Sequence, residues 1–349
     1  EYDALKDFAE LDSGTYEAWT QTIGMANAGL ATEAAYQRIQ GNNPDGTRNL
    51  RSSVANTHVV NHAGKTLALV ESSLPYEITN DLETVGCYDF GGALNDAMTA
   101  HPKICPTTGE LHFFGYGNIF EPHVSYHRAD AQGNLVVSRP LQVPALTMMH
   151  DFAMTAGHVI FLDLPIVFNL DIAITGKGDM PYRWSDDYGA RLGVLRRDDP
   201  FGQVRWFDIA PCYVFHVANA FETSSAFETS NDRGDGKSIV IHGCRYPELW
   251  RDGGGFEASA VLWEWTIDLE SGVVSERQLD DRAVEFPRID DRLAGLPARY
   301  AVSVGDARLV RYDLQTGAAT EHAFGTPDTP GGPGEAVFVP SASATADEA

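Results

Sequence analysis

From about residue 56 onward the chain reads as short strand-like runs cut by turn signals, a pattern that only an all-β sandwich, barrel or propeller accommodates. Residues 57–62, the turn Ala63-Gly64 and residues 65–71 form one such hairpin. Residues 124–127, the turn at Gln132-Gly133-Asn134 and residues 135–143 form another. Later runs at 260–269 and 308–314 turn at Ser271-Gly272 and Thr316-Gly317. The hairpins share no repeated Gly-His to Trp-Asp motif, which disfavours a scaffold propeller of that repeat family. Residues 15–40 hold fewer β-branched side chains and read as helical or irregular. Residues 171–189, rich in Gly, Asp and Pro, read as an insertion over one face. No linker divides the chain, so a single domain over residues 1–349 is expected.

Charge narrows the function classes. With 25 Lys+Arg against 49 Asp+Glu the formal charge is −24, which opposes a nucleic-acid backbone and supplies no basic stripe for anionic lipid. Cys87, Cys105, Cys212 and Cys244 show no C-x-x-C spacing, so neither a zinc knuckle nor a disulfide framework is indicated and a cytoplasmic setting is the default. There is no run of about 18 apolar residues and no charged-then-apolar leader. The chain opens on Glu1, and residues 341–349 resemble the start of a surface loop, so it reads as a piece of a longer protein. Nucleophile elbows, an H-E-x-x-H helix and phosphate-cradling loops are missing, and Gly253-Gly254-Gly255 reads as a turn.

Three histidines stand in apolar, strand-like contexts: His101 in Thr99-Ala100-His101-Pro102-Lys103, His150 in Met148-Met149-His150-Asp151-Phe152, and His216 in Tyr213-Val214-Phe215-His216-Val217. Their separations, 49 and 66 residues, approximate the roughly 40–50 residues of a propeller blade, the second with an insertion. Equivalent positions in successive blades would aim all three at one axis, and an all-nitrogen site with open positions suits iron or copper redox chemistry. A buried imidazole with an unpaired nitrogen costs about 1–3 kcal/mol, which a metal on one side and a carboxylate on the other would remove. Glu71, Glu285 and Glu335 occupy matching contexts. The alternative is that the histidines are satisfied core residues and the glutamates hairpin-end surface groups. His58 and His62, like His123 and His127, are four apart, which on a strand separates them by roughly 13 Å and rules out joint chelation. His112, His158, His242 and His322 read as surface or edge residues.

Residues 99–103, residues 148–155 with Phe161-Leu162-Asp163-Leu164-Pro165, residues 213–221, Glu285-Phe286-Pro287-Arg288 and residues 334–340 together resemble the carotenoid cleavage oxygenases, a family that includes carotenoid, apocarotenoid and lignostilbene dioxygenases. The resemblance runs in order from about residue 56 to 340. It implies a seven-bladed β-propeller, incomplete in this chain, with loops and short helices capping one face. It further implies an axial non-haem Fe(II) held by four histidines, three of them oriented by glutamates. His101, His150 and His216 match the first three ligands, and Glu71, Glu285 and Glu335 match the glutamates behind them. The fourth histidine would lie beyond Ala349 and a glycine-rich, histidine-containing N-terminal segment is not found, so the resemblance implies truncation at both ends. Weak iron retention, aggregation and inactivity of the isolated piece are the corresponding expectations.

The implied activity is cleavage of a C=C bond of a carotenoid or apocarotenoid by O₂ to two carbonyl products. Val70, Met149, Phe152 and Phe215 are the candidates for an apolar substrate channel. The stilbene-cleaving branch is the alternative enzyme reading; its members typically carry a lysine just before the first of these glutamates, where this chain has Val70. A non-catalytic polyene-binding propeller is the alternative from another class. The implied partners are an apolar polyene or stilbene and O₂, without nucleic acid, with peripheral membrane contact for substrate uptake by a cytoplasmic protein.

Overall fold

The computed structural model describes residues 49–175, 180–223, 237–251, 255–256, 258–326 and 329–339. The segment 15–40 and most of the Gly253-Gly254-Gly255 turn lie outside them. The hairpins pair into five four-stranded antiparallel sheets, each a blade. Blade I comprises β1 (His58–His62), β2 (Lys65–Leu69), β3 (Tyr76–Ile78) and β4 (Thr84–Cys87). Blade II comprises β5 (Lys103–Ile104), β6 (Leu111–Tyr116), β7 (Val124–Ala129) and β8 (Leu135–Leu141). Blade III begins with β9 (Phe152–Met154) and β10 (His158–Asp163). The chain then leaves the sheet through β11 (Ile166–Phe168), helix α1 (Leu170–Thr175) and β12 (Tyr182–Trp184), and returns as β13 (Ala190–Arg196) and β14 (Arg205–Ile209). Blade IV is β15 (Tyr213–Thr223), β16 (Ser238–Tyr246), β17 (Val261–Asp268) and β18 (Val274–Gln278), and blade V is β19 (Glu285–Arg288), β20 (Tyr300–Gly305), β21 (Arg308–Asp313) and β22 (Ala318–Ala323). A two-stranded ribbon, β23 (Gly325–Thr326) with β24 (Thr329–Pro330), follows.

The all-β propeller expected from the hairpins is present, with five blades among the described residues rather than seven. Blades of roughly 40–50 residues plus one insertion consume residues 58–323 in five repeats. The expected helical cap reduces among the described residues to α1 and a 3₁₀ turn at Asp291–Leu293. The β11–α1–β12 excursion is the insertion that lengthens the interval between His150 and His216. Its Ile166 carbonyl accepts the Met148 amide at 2.9 Å, so it packs directly on the segment leading into His150.

Period-two alternation builds the interior. Every residue of β6 is buried because the strand is covered on both faces. Leu111 and Phe113 join the core shared with blade I, while Phe114 and Tyr116 join the core that runs through blades II to V. The first strands of successive blades face the centre: β15 lies between β9 and β19. Residues on or just before these first strands are therefore the ones the fold can bring together.

Candidate metal centre

His101 and His150 each stand two residues ahead of the first strand of their blade, β5 and β9. The segment carrying His101 lies tight on blade II because Gly115 has no side chain; a Cβ there would come 2.4 Å from the Ala97 carbonyl. Thr99, fully buried, links the first two ligand segments: its hydroxyl accepts the His101 amide at 3.1 Å and donates to the His150 carbonyl at 3.4 Å.

His216 lies within β15, where a bulge re-aims it. Val214 pairs with Arg245 and Val217 with Gly243, so three steps along β15 oppose two along β16. Gly243 gives the bulge room, since a Cβ at that position would sit 3.3 Å from the His216 carbonyl. A second bulge in β19, between Glu285 opposite Val304 and Arg288 opposite Val302, places Phe286 at φ 51° and turns the Glu285 carboxylate toward His216.

The three rings converge. His101 Nε2 and His150 Nε2 lie 3.0 Å apart, and the ligand nitrogens of all three histidines lie within 4.8 Å of one another. Glu285 accepts from His216 Nδ1 at 2.7 Å, and Glu71 Oε2 faces His150 Nδ1 at 2.9 Å. A carboxylate at the Nδ1 of His150 and at that of His216 leaves the Nε2 lone pairs of those two rings directed inward. Convergent neutral imidazoles are a donor set for a borderline divalent transition metal, so the residues fit one. Desolvation, then the neighbouring His150 and His216, hold His101 well below the usual imidazole range. Desolvation also acts to lower His150, but the carboxylates of Glu71, Asp151 and Glu285 together outweigh it and the ring is raised. Replacing Glu285 by glutamine in the full-length protein is expected to preserve the fold and weaken metal affinity about 10–100-fold, read by titration with Co(II). An unchanged affinity would reduce Glu285 to a bystander.

A cavity of about 420 Å³ opens beside the rings, lined by His58, His101, Lys103, His216, Arg288 and Glu335 among others. Glu335 reaches this cavity from the last described segment of the chain. Its carboxylate accepts from the Arg288 guanidinium at 3.1 Å. Of the four channel candidates, Val70 and Met149 are 1% exposed and Phe152 is fully buried, and none lines this cavity. Val70 and Met149 directly precede Glu71 and His150, and successive side chains of an extended chain point to opposite sides. Phe152 goes into the core against Phe114 and Phe161.

Phe215 alone of the four reaches the site. Its ring stands at right angles to His150, 5.2 Å away. Tyr213, Tyr246, Trp250 and Phe256 surround it, and Phe256, 44% exposed, carries this aromatic wall to the surface. Phe286 packs on His216 at 4.8 Å. Sequence reading missed Tyr246, Trp250 and Phe256, which lie far along the chain from any ligand; the aromatic run beside His216 was the available hint.

Three histidines read as surface or edge residues are instead buried or paired. His112 is fully buried with Nδ1 2.7 Å from the Tyr126 hydroxyl, His158 Nδ1 lies 2.8 Å from Glu222, and His242, 4% exposed, lies 2.9 Å from Glu264. Glu264 is the direct cross-strand partner of His242, a proximity that strand pairing creates and local sequence does not display. His322 is exposed as expected.

A five-bladed all-β propeller section with a three-histidine, carboxylate-backed centre is thus the class of protein that fold and site define. The family model described as retinal pigment epithelial membrane protein matches residues 14–349. The chain is 35% identical over 347 residues to the carotenoid cleavage oxygenase of Mycobacterium tuberculosis, covering 84% of this chain and 67% of that protein. It is 34% identical over 259 residues to the carotenoid 9,10(9',10')-cleavage dioxygenase of Crocus sativus, covering 70% of this chain and 44% of that one. The solved lignostilbene dioxygenase of Pseudomonas brassicacearum superposes with a TM-score of 0.70 at 26% identity, covering 93% of this chain and 71% of the other. The chain belongs to this family, the carotenoid cleavage oxygenases, and spans between less than half and about two thirds of the curated relatives' length.

Proposed function

We propose that the full-length protein is a non-haem Fe(II) dioxygenase that cleaves a C=C bond of a carotenoid or apocarotenoid with O₂, giving two carbonyl products. The observation that carries this reading is the convergence of His101, His150 and His216 with Glu71 and Glu285 behind two of them. Iron(II) held there supplies the one-electron chemistry that O₂ requires to react with an alkene. Glu71 and Glu285 fix the ring orientations. Half-buried Phe215 and exposed Phe256, backed by the buried Tyr246 and Trp250, offer an apolar surface for a polyene beside the rings. Where the stilbene-cleaving branch has a lysine, this chain has the buried Val70, so that position supplies no cation to meet a phenol oxygen. The complete protein, in this proposal, is one seven-bladed domain with a further histidine from outside these residues and Glu335 oriented toward it.

A cytoplasmic setting with peripheral membrane contact belongs to the same proposal. It draws support from four unpaired cysteines and from the exposed Ile119 and Phe120, the latter 85% exposed. Among the described residues no helix is long and apolar enough to cross a membrane. The test is full-length protein supplied with Fe(II), O₂ and a panel of β-carotene, apocarotenals and resveratrol, with products separated by chromatography. Cleaved polyene carries the reading, cleaved resveratrol alone moves it to the stilbene branch, and tight polyene binding without any product leaves a non-catalytic propeller.

A further inference from the structure

Asp151 follows His150 directly and is 2% exposed. Its Oδ1 lies 2.8 Å from Lys103 Nζ and accepts the Phe152 amide at 2.7 Å, and its Oδ2 accepts the Val217 amide at 2.8 Å. These partners are not scattered. Lys103 comes two residues after His101 and Val217 one residue after His216, so one carboxylate binds the chain beside each of the three histidines. The three segments belong to blades II, III and IV, and the Asp151 carboxylate bonds to all of them. Charge-assisted bonds of this kind are short, directional and roughly twice as strong as neutral ones, which suits them to fixing one segment's position against another. Metal sites need their donors held within about 0.5 Å of the productive geometry.

We propose that Asp151 is a positioning residue that presets the spacing of His101, His150 and His216 by bonding Lys103 and the Val217 amide at once. It acts through the Lys103 ammonium and the Phe152 and Val217 amides rather than through the rings' inward nitrogens. This inference rests on the metal-centre reading above.

Two variants of the full-length protein separate positioning from simple electrostatics. Asp151→Asn removes a negative charge near the centre, and Lys103→Met removes a positive one. If these groups acted only through their charge, Asp151→Asn would weaken cation binding and Lys103→Met would tighten it. If they hold the segments in register, both variants weaken Co(II) binding, roughly 10–100-fold for Asp151→Asn in line with partners that orient ligands. Both should also shift the visible absorption bands of the bound cobalt in the same direction, a signature that loss of stability alone does not produce. Where Asp151→Asn fails to fold, Lys103→Met decides the matter. Tighter or unchanged cobalt binding by Lys103→Met with wild-type bands overturns the proposal. A wild-type protein that binds no Co(II) overturns the metal-centre reading itself.

Discussion

Replacing His150 by alanine in the full-length protein is expected to remove bound iron and, with it, all C=C-cleaving activity. His150 is central to the cluster. Its Nε2 is 3.0 Å from that of His101, its ring centroid is 5.2 Å from that of His216, and its other nitrogen faces Glu71. Deleting it therefore takes away one donor and leaves the Glu71 carboxylate with no ring to orient. It also strips Phe215 of the ring it packs against, loosening the aromatic wall at the point where substrate would lie. Iron content after dialysis and product chromatography check the outcome. A His150→Ala protein that keeps one equivalent of iron would show that these imidazoles are core residues and that the metal, if any, sits elsewhere.

The second large effect concerns stability. Arg197→Met is expected to cost about 3–5 kcal/mol, the range for breaking a buried ionic network by removing one member. Arg197 is 7% exposed and ties blade III to blade II. It donates to the Thr155 and Ala156 carbonyls at 2.9 Å each and to Glu110 at 2.8 Å. Methionine fills much of the volume but leaves the Thr155 and Ala156 carbonyls without this donor and Glu110 to the Thr108 hydroxyl and nearby Arg128, so the loss is one of satisfaction rather than packing. Urea unfolding with an unchanged slope would report it as a lower midpoint. The neighbouring surface pair of Arg196 with Asp198, both about two thirds exposed, is the control, and Arg196→Ala should leave the midpoint where it is. A midpoint shift no larger for Arg197→Met than for the control would remove Arg197 from the blade interface.

Much of the fold was legible before the structure. Turn signals at Ala63-Gly64, Gly133, Gly272 and Gly317 coincide with positive-φ residues at strand ends, because those backbone conformations are open to few side chains. The three histidines were legible as well, since each stands at or near the first strand of a blade and the intervals between them follow the blade length. Glu71 and Glu285 came with them through the family motifs. Blade number was not legible, because antiparallel hairpins look alike whichever sheet they join.

The sequence alone thus determined the all-β class, the blade-length spacing and the three histidines that converge, all properties of local pattern repeated along the chain. Only the tertiary structure decided that Glu335 meets Arg288, that Met149 and Phe152 turn into the core, and that Tyr246, Trp250 and Phe256 gather around Phe215. It also revealed the two bulges that aim His216 and Glu285 at each other, and the single Asp151 carboxylate that binds beside all three ligands. The physical reason is common to these cases. Side-chain direction in an extended chain reverses at every residue, so a single inserted residue or a shift in strand pairing decides which groups meet, and such shifts leave no mark on local composition.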